Sequence, residues 1–320
     1  MSPIPHTEKA RTKRIIKTNP KGPDAFLLKK SNIKLSQYFF NINFRIMYLL
    51  ITKTQEIAYI KIIKIIGLNK MKNKLLIAGN WKMNGKKKDV SFIKGLLKFI
   101  SNHRLNNVEL LICPPFTLID KFSSLTSRSS INIGSQDCSS NDLGAYTGEI
   151  SATMIKDFNA KYCIIGHSER RIYHNETNDL INNKILQAQE KNLRTILCIG
   201  ETLFDRKKKR TLRVLGNQIK SSLKGKVNPN NLDIAYEPVW AIGTGLVPSN
   251  SDIEEVHNFI FNKLKKIYGN RAKNIRILYG GSVNSNNISS ISCLNNVSGA
   301  LIGGASLKIN DMKSILKQFI

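Results

Sequence analysis

From Met71 onward, short apolar runs alternate with longer polar or amphipathic stretches. Eight of these runs predict strands: Leu75–Asn80, Val108–Pro114, Ile131–Gln136, Tyr162–Gly166, Thr195–Gly200, Leu232–Tyr236, Ile275–Tyr279 and Gly299–Ile302. The segments between them fit amphipathic helices, among them Val90–Ile100, Asn178–Lys191, Ile253–Tyr268 and Met312–Phe319. Eight strands alternating with helices over about 250 residues suit a closed parallel (β/α)8 barrel. An open doubly wound sheet is the alternative. Its dinucleotide fingerprint, a GxGxxG opening the first helix, is absent after Leu75–Asn80.

Residues 1–70 read differently from the remaining unit, 71–320. They carry basic clusters and irregular apolar stretches without the strand–helix rhythm. Tyr38–Thr52 is interrupted by Arg45, and Ile57–Leu68 by Lys61 and Lys64. Neither reaches the roughly 18 clean apolar residues of a membrane span, so no span is expected. A secretory signal is a poor fit, because the apolar stretches begin too far from the start. Three readings fit this basic extension, which is expected to be disordered. It is an upstream in-frame translation with the true start at Met71, an organellar targeting segment, or a genuine appended piece. Targeting peptides tend to be rich in Ser and Arg. Here Lys dominates, and the serines are Ser2, Ser31 and Ser36.

In a barrel, chemistry gathers just after the strand ends, and the unusual residues of this chain fall there. The run Ala235-Tyr236-Glu237-Pro238-Val239-Trp240-Ala241-Ile242-Gly243-Thr244-Gly245 brings a carboxylate to a strand tip and continues into a Gly-rich loop. A base working under a lid needs that arrangement. Asp233 is the other acid of this unit, but it lies near the strand's start. Asn80 and Lys82 end the first strand. His167 ends the fourth and opens a helix at Ser168-Glu169-Arg170-Arg171. A helix N-terminus lowers a histidine's pKa and favours the neutral ring. Gly280-Gly281-Ser282 and Gly303-Gly304 follow the seventh and eighth strands, where barrels commonly hold phosphate. Taken singly, each feature has a plain structural reading: a surface Lys, a structural His, two tight turns. Together they supply a base, a neutral electrophile, a cation, a dianion cradle and a lid. That set suits proton transfer alpha to a carbonyl in a small phosphorylated substrate.

The net charge of +28 divides into +11 for residues 1–70 and +17 for the rest, so the excess is global. Such a charge permits polyanion binding, but a compositional drift toward Lys, Asn and Ile accounts for it as well. The densest basic run, Arg206 to Arg210, reads as a solvated helix start. It lacks the interleaved aromatics of a nucleic-acid surface, and no nucleic-acid partner is expected. Five scattered cysteines, Cys113, Cys138, Cys163, Cys198 and Cys293, have no metal or redox spacing and favour a reducing compartment.

From Met71 to the C-terminus the chain resembles the triosephosphate isomerases. The resemblance rests on Ala78-Gly79-Asn80-Trp81-Lys82-Met83-Asn84, Gly166-His167-Ser168-Glu169-Arg170-Arg171, Cys198-Ile199-Gly200-Glu201, the Glu237 run, Tyr279-Gly280-Gly281-Ser282-Val283 and Leu301-Ile302-Gly303-Gly304-Ala305-Ser306, in the family's order. It implies a TIM barrel that interconverts dihydroxyacetone phosphate and D-glyceraldehyde 3-phosphate in glycolysis and gluconeogenesis. By resemblance, Glu237 moves the proton through an enediolate, and His167 polarises the carbonyl. Lys82 and Asn80 hold the substrate, and Glu169 supports Lys82. Gly243, Ser282, Gly303 and Gly304 bind the phosphate under a lid from Pro238 to Gly245. The resemblance implies no metal and no organic cofactor. It implies a homodimer, with the loop Ser140–Ser151 as the arm beside the partner's site, and a cytoplasmic location unless residues 1–70 are a targeting segment. Ser135 stands where the family more often has Ala, and Asp205–Thr211 is unusually basic. Another phosphate-binding barrel enzyme, or a role driven by positive charge alone, is the competing reading. The lid run and the His167 segment argue against the first.

Overall fold

The computed structural model describes residues 74–241 and 248–320. The extension 1–70, and Gly243 with half of the predicted lid, lie outside the described residues. The strands are β1 (Leu75–Asn80), β2 (Val108–Cys113), β3 (Ile131–Ser135), β4 (Tyr162–Ile165), β5 (Arg194–Ile199), β6 (Leu232–Tyr236), β7 (Arg276–Tyr279) and β8 (Gly299–Ile302). They close into one barrel in sequence order, all pairs parallel. The fold is a TIM barrel, as the strand–helix rhythm predicts. β1, β6 and β8 match the expected limits, β2, β3, β4 and β7 shift by one residue at one end, and β5 by one residue at both ends. β4 stops at Ile165 because Gly166 turns away with φ of 69°.

The strands read as continuous apolar runs because both of their faces are covered. Alternate residues point inward, where Leu76, Ala78, Leu111, Ile164, Ile196, Ala235 and Leu278 fill the barrel. The intervening residues, such as Leu75, Ile77, Leu197, Ile199 and Ile234, point outward under the helices. Those helices include α1 (Val90–Asn102), α2 (Phe116–Thr126), α3 (Ala152–Asp157), α4 (Ser168–Tyr173), α5 (Asn178–Glu190), α6 (Leu203–Lys207), α7 (Thr211–Ser222), α8 (Asn250–Tyr268), α9 (Ile288–Ser292) and α10 (Ile309–Leu316). The expected helix at Ile253 begins three residues earlier, at Asn250. Ser249 caps it by accepting from the Asp252 N–H at 3.1 Å, and Asp252 returns the bond to the Ser249 N–H at 3.2 Å. The one expected over Met312–Phe319 begins at Ile309 and tightens into a 3-10 turn at Lys317–Phe319.

The basic run corrects the solvated-helix reading. Arg206 and Lys207 close α6, Lys208 and Lys209 form a turn, and Arg210 precedes α7. Lys207 to Arg210 are exposed, but Arg206 is not free in solvent. Its guanidinium lies 4.6 Å from the Trp240 ring centroid and 3.0 Å from Asp252.

At the N-terminal mouth of the barrel a polar network replaces apolar packing. Buried Arg276 reaches Glu109 at 2.6 Å, Asp233 at 2.8 Å and the Tyr162 hydroxyl at 2.9 Å. Arg194 adds a second guanidinium to Asp233 at 2.6 Å. Burial opposes the Asp233 charge, but the two guanidiniums win and hold its pKa below the ordinary carboxylate range. Asp233 is thus tied up far from the C-terminal face, as its place at the strand's start predicts.

On α8, His257 is fully buried, with Nδ1 3.2 Å from the Asn296 carbonyl and no partner for Nε2 among the described residues. Burial pushes its pKa down from 6.5 to about 4. The folded chain therefore binds this proton more weakly than the unfolded one. The resulting stability is fully present above pH 6.5 and is lost as pH falls from 6.5 toward 4, by roughly 3 kcal/mol. His257→Gln, which keeps a side-chain N–H donor, is expected to flatten the Tm–pH curve across that window. An unchanged slope would exclude His257 as the source.

Candidate active site

The C-terminal tips of β1, β4 and β6 carry the polar side chains of the site. Asn80 ends β1 and is buried, and its Oδ1 accepts the Lys82 N–H at 3.0 Å. Lys82 sits in the left-handed region, φ 53°, a placement that costs a lysine about 1 kcal/mol or more. Gln136, one residue past β3, holds that backbone: its amide donates to the Lys82 carbonyl at 2.9 Å and the Cys113 carbonyl at 3.0 Å. Lys82 Nζ then reaches Glu169 Oε1 at 2.7 Å.

His167 follows the Gly166 turn and caps α4. Its Nδ1 accepts the Glu169 N–H at 3.2 Å. That bond leaves the ring proton on Nε2, which faces Glu237 Oε1 at 2.9 Å. The other Glu237 oxygen, Oε2, accepts the Ser168 N–H at 3.1 Å. Glu237 is only 2 % exposed. Burial works against its charge, yet His167, the Ser168 N–H and Lys82 outweigh burial and hold its pKa below the usual range. For His167, burial depresses the pKa, but the Glu237 carboxylate together with Glu169 outweighs burial and leaves it raised. The lowered pKa predicted from the helix N-terminus is therefore reversed while Glu237 rests against the ring. The helix N–H at Nδ1 sets the tautomer with the ring proton on Nε2.

The backbone around Glu237 is crowded. A Cβ on Gly200 would lie 1.8 Å from the Glu237 carbonyl oxygen, and one on Gly280 would lie 2.9 Å from Glu237 Cγ. Val239–Ala241 forms a 3-10 turn at the foot of the expected lid. Trp240 Nε1 donates to fully buried Glu201 at 2.8 Å, and the Tyr236 hydroxyl joins at 3.3 Å. The Ser282 hydroxyl donates to the Ala241 carbonyl at 3.0 Å.

A cavity of about 310 Å³ opens between these groups, lined by Asn80, Lys82, His167, Glu237, Ser282, Gly303 and Gly304 among others. In its lining a Cβ at Gly304 would meet nothing within 4 Å, and one at Gly303 would meet only Lys82 Cε at 3.6 Å. These glycines are not required by packing; they leave room for a ligand to approach the backbone. Among the described residues no group of three or more His, Cys, Asp or Glu is placed to hold a metal ion. No described helix is long and apolar enough to cross a membrane.

Every predicted site residue within the described set therefore converges here, with Glu169 one contact removed through Lys82. Residues 75–319 match the triosephosphate isomerase family. The chain belongs to this family. Membership makes it an enzyme, an intramolecular isomerase. It is 44% identical over 244 residues to triosephosphate isomerase of Rhizobium meliloti (strain 1021), covering 76% of this chain and 95% of the relative. It is equally similar, 44% over 245 residues, to that of Thermodesulfovibrio yellowstonii, covering 76% of this chain and 99% of the relative. The crystal structure of the Bartonella henselae triosephosphate isomerase matches with a TM-score of 0.71 and 39% identity, over 77% of this chain and 99% of that one.

The motif reading missed Gln136, Ser168 as a backbone donor, and the packing role of Gly200. Gln136 could have been found by applying the strand-end rule to β3 as strictly as to β1 and β6. The Ser168 contact is made by backbone, so no side-chain pattern announces it.

Proposed function

We propose that the enzyme interconverts dihydroxyacetone phosphate and D-glyceraldehyde 3-phosphate by proton transfer through an enediolate. The observation that carries this reading is the convergence of Glu237, His167 and Lys82 from three strands onto one cavity that open glycines also line. In this reading the substrate displaces Glu237 from His167, and the substrate oxygen takes over the Nε2–H. Glu237, released from its ion-pair-like contact, moves the proton between the two carbons as general base and acid. Lys82 and Asn80 hold the substrate and stabilise the enediolate, with Glu169 steadying Lys82. Gly243, Ser282, Gly303 and Gly304 bind the phosphate. The loop Pro238–Gly245 closes over the intermediate and keeps water out.

A coupled assay run in both directions is expected to show turnover of the two trioses. Preference for a larger phosphorylated sugar would overturn the substrate assignment. Lys82→Ala is expected to lower kcat/KM by roughly 10²–10³-fold, because it removes the fixed cation at the developing negative oxygen. An unchanged kcat/KM contradicts the role given to Lys82.

The reaction places the enzyme in glycolysis and gluconeogenesis, and we assign it to the cytoplasm, or to an organelle should residues 1–70 direct it there. We further propose a homodimer. The arm Ser140–Ser151 projects, with Leu143 76% and Tyr146 49% exposed, and Met83 beside Lys82 is 99% exposed. Exposed apolar side chains of this size call for a partner surface. Sedimentation is expected to give twice the chain mass, and a single-chain mass at micromolar concentration would refute the dimer.

A further inference from the structure

The β4–β5 ladder ends at Ile165 opposite Leu197. β5 and β6 stay paired further, to Ile199 opposite Tyr236. β4 leaves the sheet at Gly166, so beyond Leu197 the carbonyl of Cys198 faces no β4 rung. One side chain fills that gap. Arg171, on α4, donates Nε–H to the Gly166 carbonyl at 2.8 Å and Nη2–H to the Cys198 carbonyl at 3.1 Å. Its third arm donates to Asn178 Oδ1, at the start of α5, at 2.7 Å.

Both carbonyls lie next to the reacting groups. Gly166 precedes His167 directly. Cys198 precedes Ile199, whose carbonyl accepts the Glu237 N–H at 2.8 Å. The fit is close: a Cβ on Gly166 would come within 3.2 Å of Arg171 Nη2. All three acceptors are uncharged, and Arg171 makes no ion pair among the described residues. Placing a partly buried cation against neutral oxygens costs desolvation energy that a simple packing role does not require. What guanidinium offers is a rigid planar fork of donors that meets several acceptors in fixed directions.

Resting on the function proposed above, we propose that Arg171 is a positioning residue for the proton transfer. Its guanidinium bolts the tip of β4 to the tip of β5 and so sets the spacing between His167 and Glu237.

Arg171→Lys keeps the charge and loses the fork. With the wild type assayed alongside on both trioses, kcat of the variant is expected to fall by roughly 10²-fold, as for a displacement of reacting groups by about 1 Å. KM is expected to stay within about threefold, since no phosphate or carbonyl contact is removed. The Nε2–H resonance of His167, assigned with His167→Gln, is expected to shift. A folded variant with kcat within about twofold of wild type, a loss confined to KM, or an unmoved His167 resonance would overturn the proposal. Should Arg171→Lys not fold, Asn178→Ala decides: it frees the third arm, and a several-fold fall in kcat supports the role while unchanged kcat overturns it. If the wild type itself fails to turn over trioses, the functional assignment falls, and the His167 resonance still decides the positioning role.

Discussion

Glu237→Asp is expected to keep the fold and lose roughly 10²–10³ in kcat, because the carboxylate retreats by about 1 Å from where it must act. The side chain is 2 % exposed and anchored through both oxygens, to His167 Nε2 at 2.9 Å and to the Ser168 N–H at 3.1 Å. A shorter side chain on the same backbone cannot hold both contacts, nor span the distance to a substrate carbon across the cavity. The backbone itself is fixed by the Glu237 N–H to the Ile199 carbonyl at 2.8 Å, so main-chain movement does not make up the difference. Steady-state kinetics with circular dichroism on the same preparation separates lost chemistry from lost structure. Near-normal turnover would remove Glu237 as the base.

The second large effect falls on a residue without a side chain. Gly200→Ala places a Cβ 1.8 Å from the Glu237 carbonyl oxygen and 2.9 Å from its carbon. The obstacle is backbone, so no rotamer change relieves it. Gly200 cannot move away easily, because the Gln218 amide grips both sides of it, accepting from its N–H at 2.9 Å and donating to its carbonyl at 3.0 Å. The strain is expected to lower stability by about 3 kcal/mol, the upper end for overpacking. It is also expected to displace Glu237 and lower kcat by at least roughly 10²-fold. Thermal melting and kcat measured together test both parts. Wild-type values for both would mean that the β5–β6 junction yields more readily than its hydrogen bonds imply.

The barrel and most of its site were legible because both leave one-dimensional traces. Strands covered on both faces appear as unbroken apolar runs, and β1, β6 and β8 could be bounded to the residue. Asn80, Lys82, His167 and Glu237 could be selected because each stands at a run's end, where barrel chemistry collects. The details that escaped depend on neighbours distant in sequence. Arg206 looked like one more solvated cation, yet it stacks on Trp240, a residue 34 positions later in the numbering. The His167 pKa direction was misread because the helix N-terminus is local in sequence and Glu237 is not. Gly200 resembled any strand-end glycine until the Glu237 carbonyl was found against it. Helix limits slipped where capping decided them, as at Ser249, since a cap is a reciprocal contact and not a periodicity.

The Arg276 network closes the N-terminal end of the barrel with Glu109, Asp233, Tyr162 and Arg194, and packed side chains fill the interior above it. The cavity at the C-terminal face is in consequence a cul-de-sac. Whatever isomer enters by the C-terminal face must leave by the same doorway. Substrate and product are thus rivals for one passage in both directions of the reaction, and a molecule lodged in that doorway blocks arrival and departure alike.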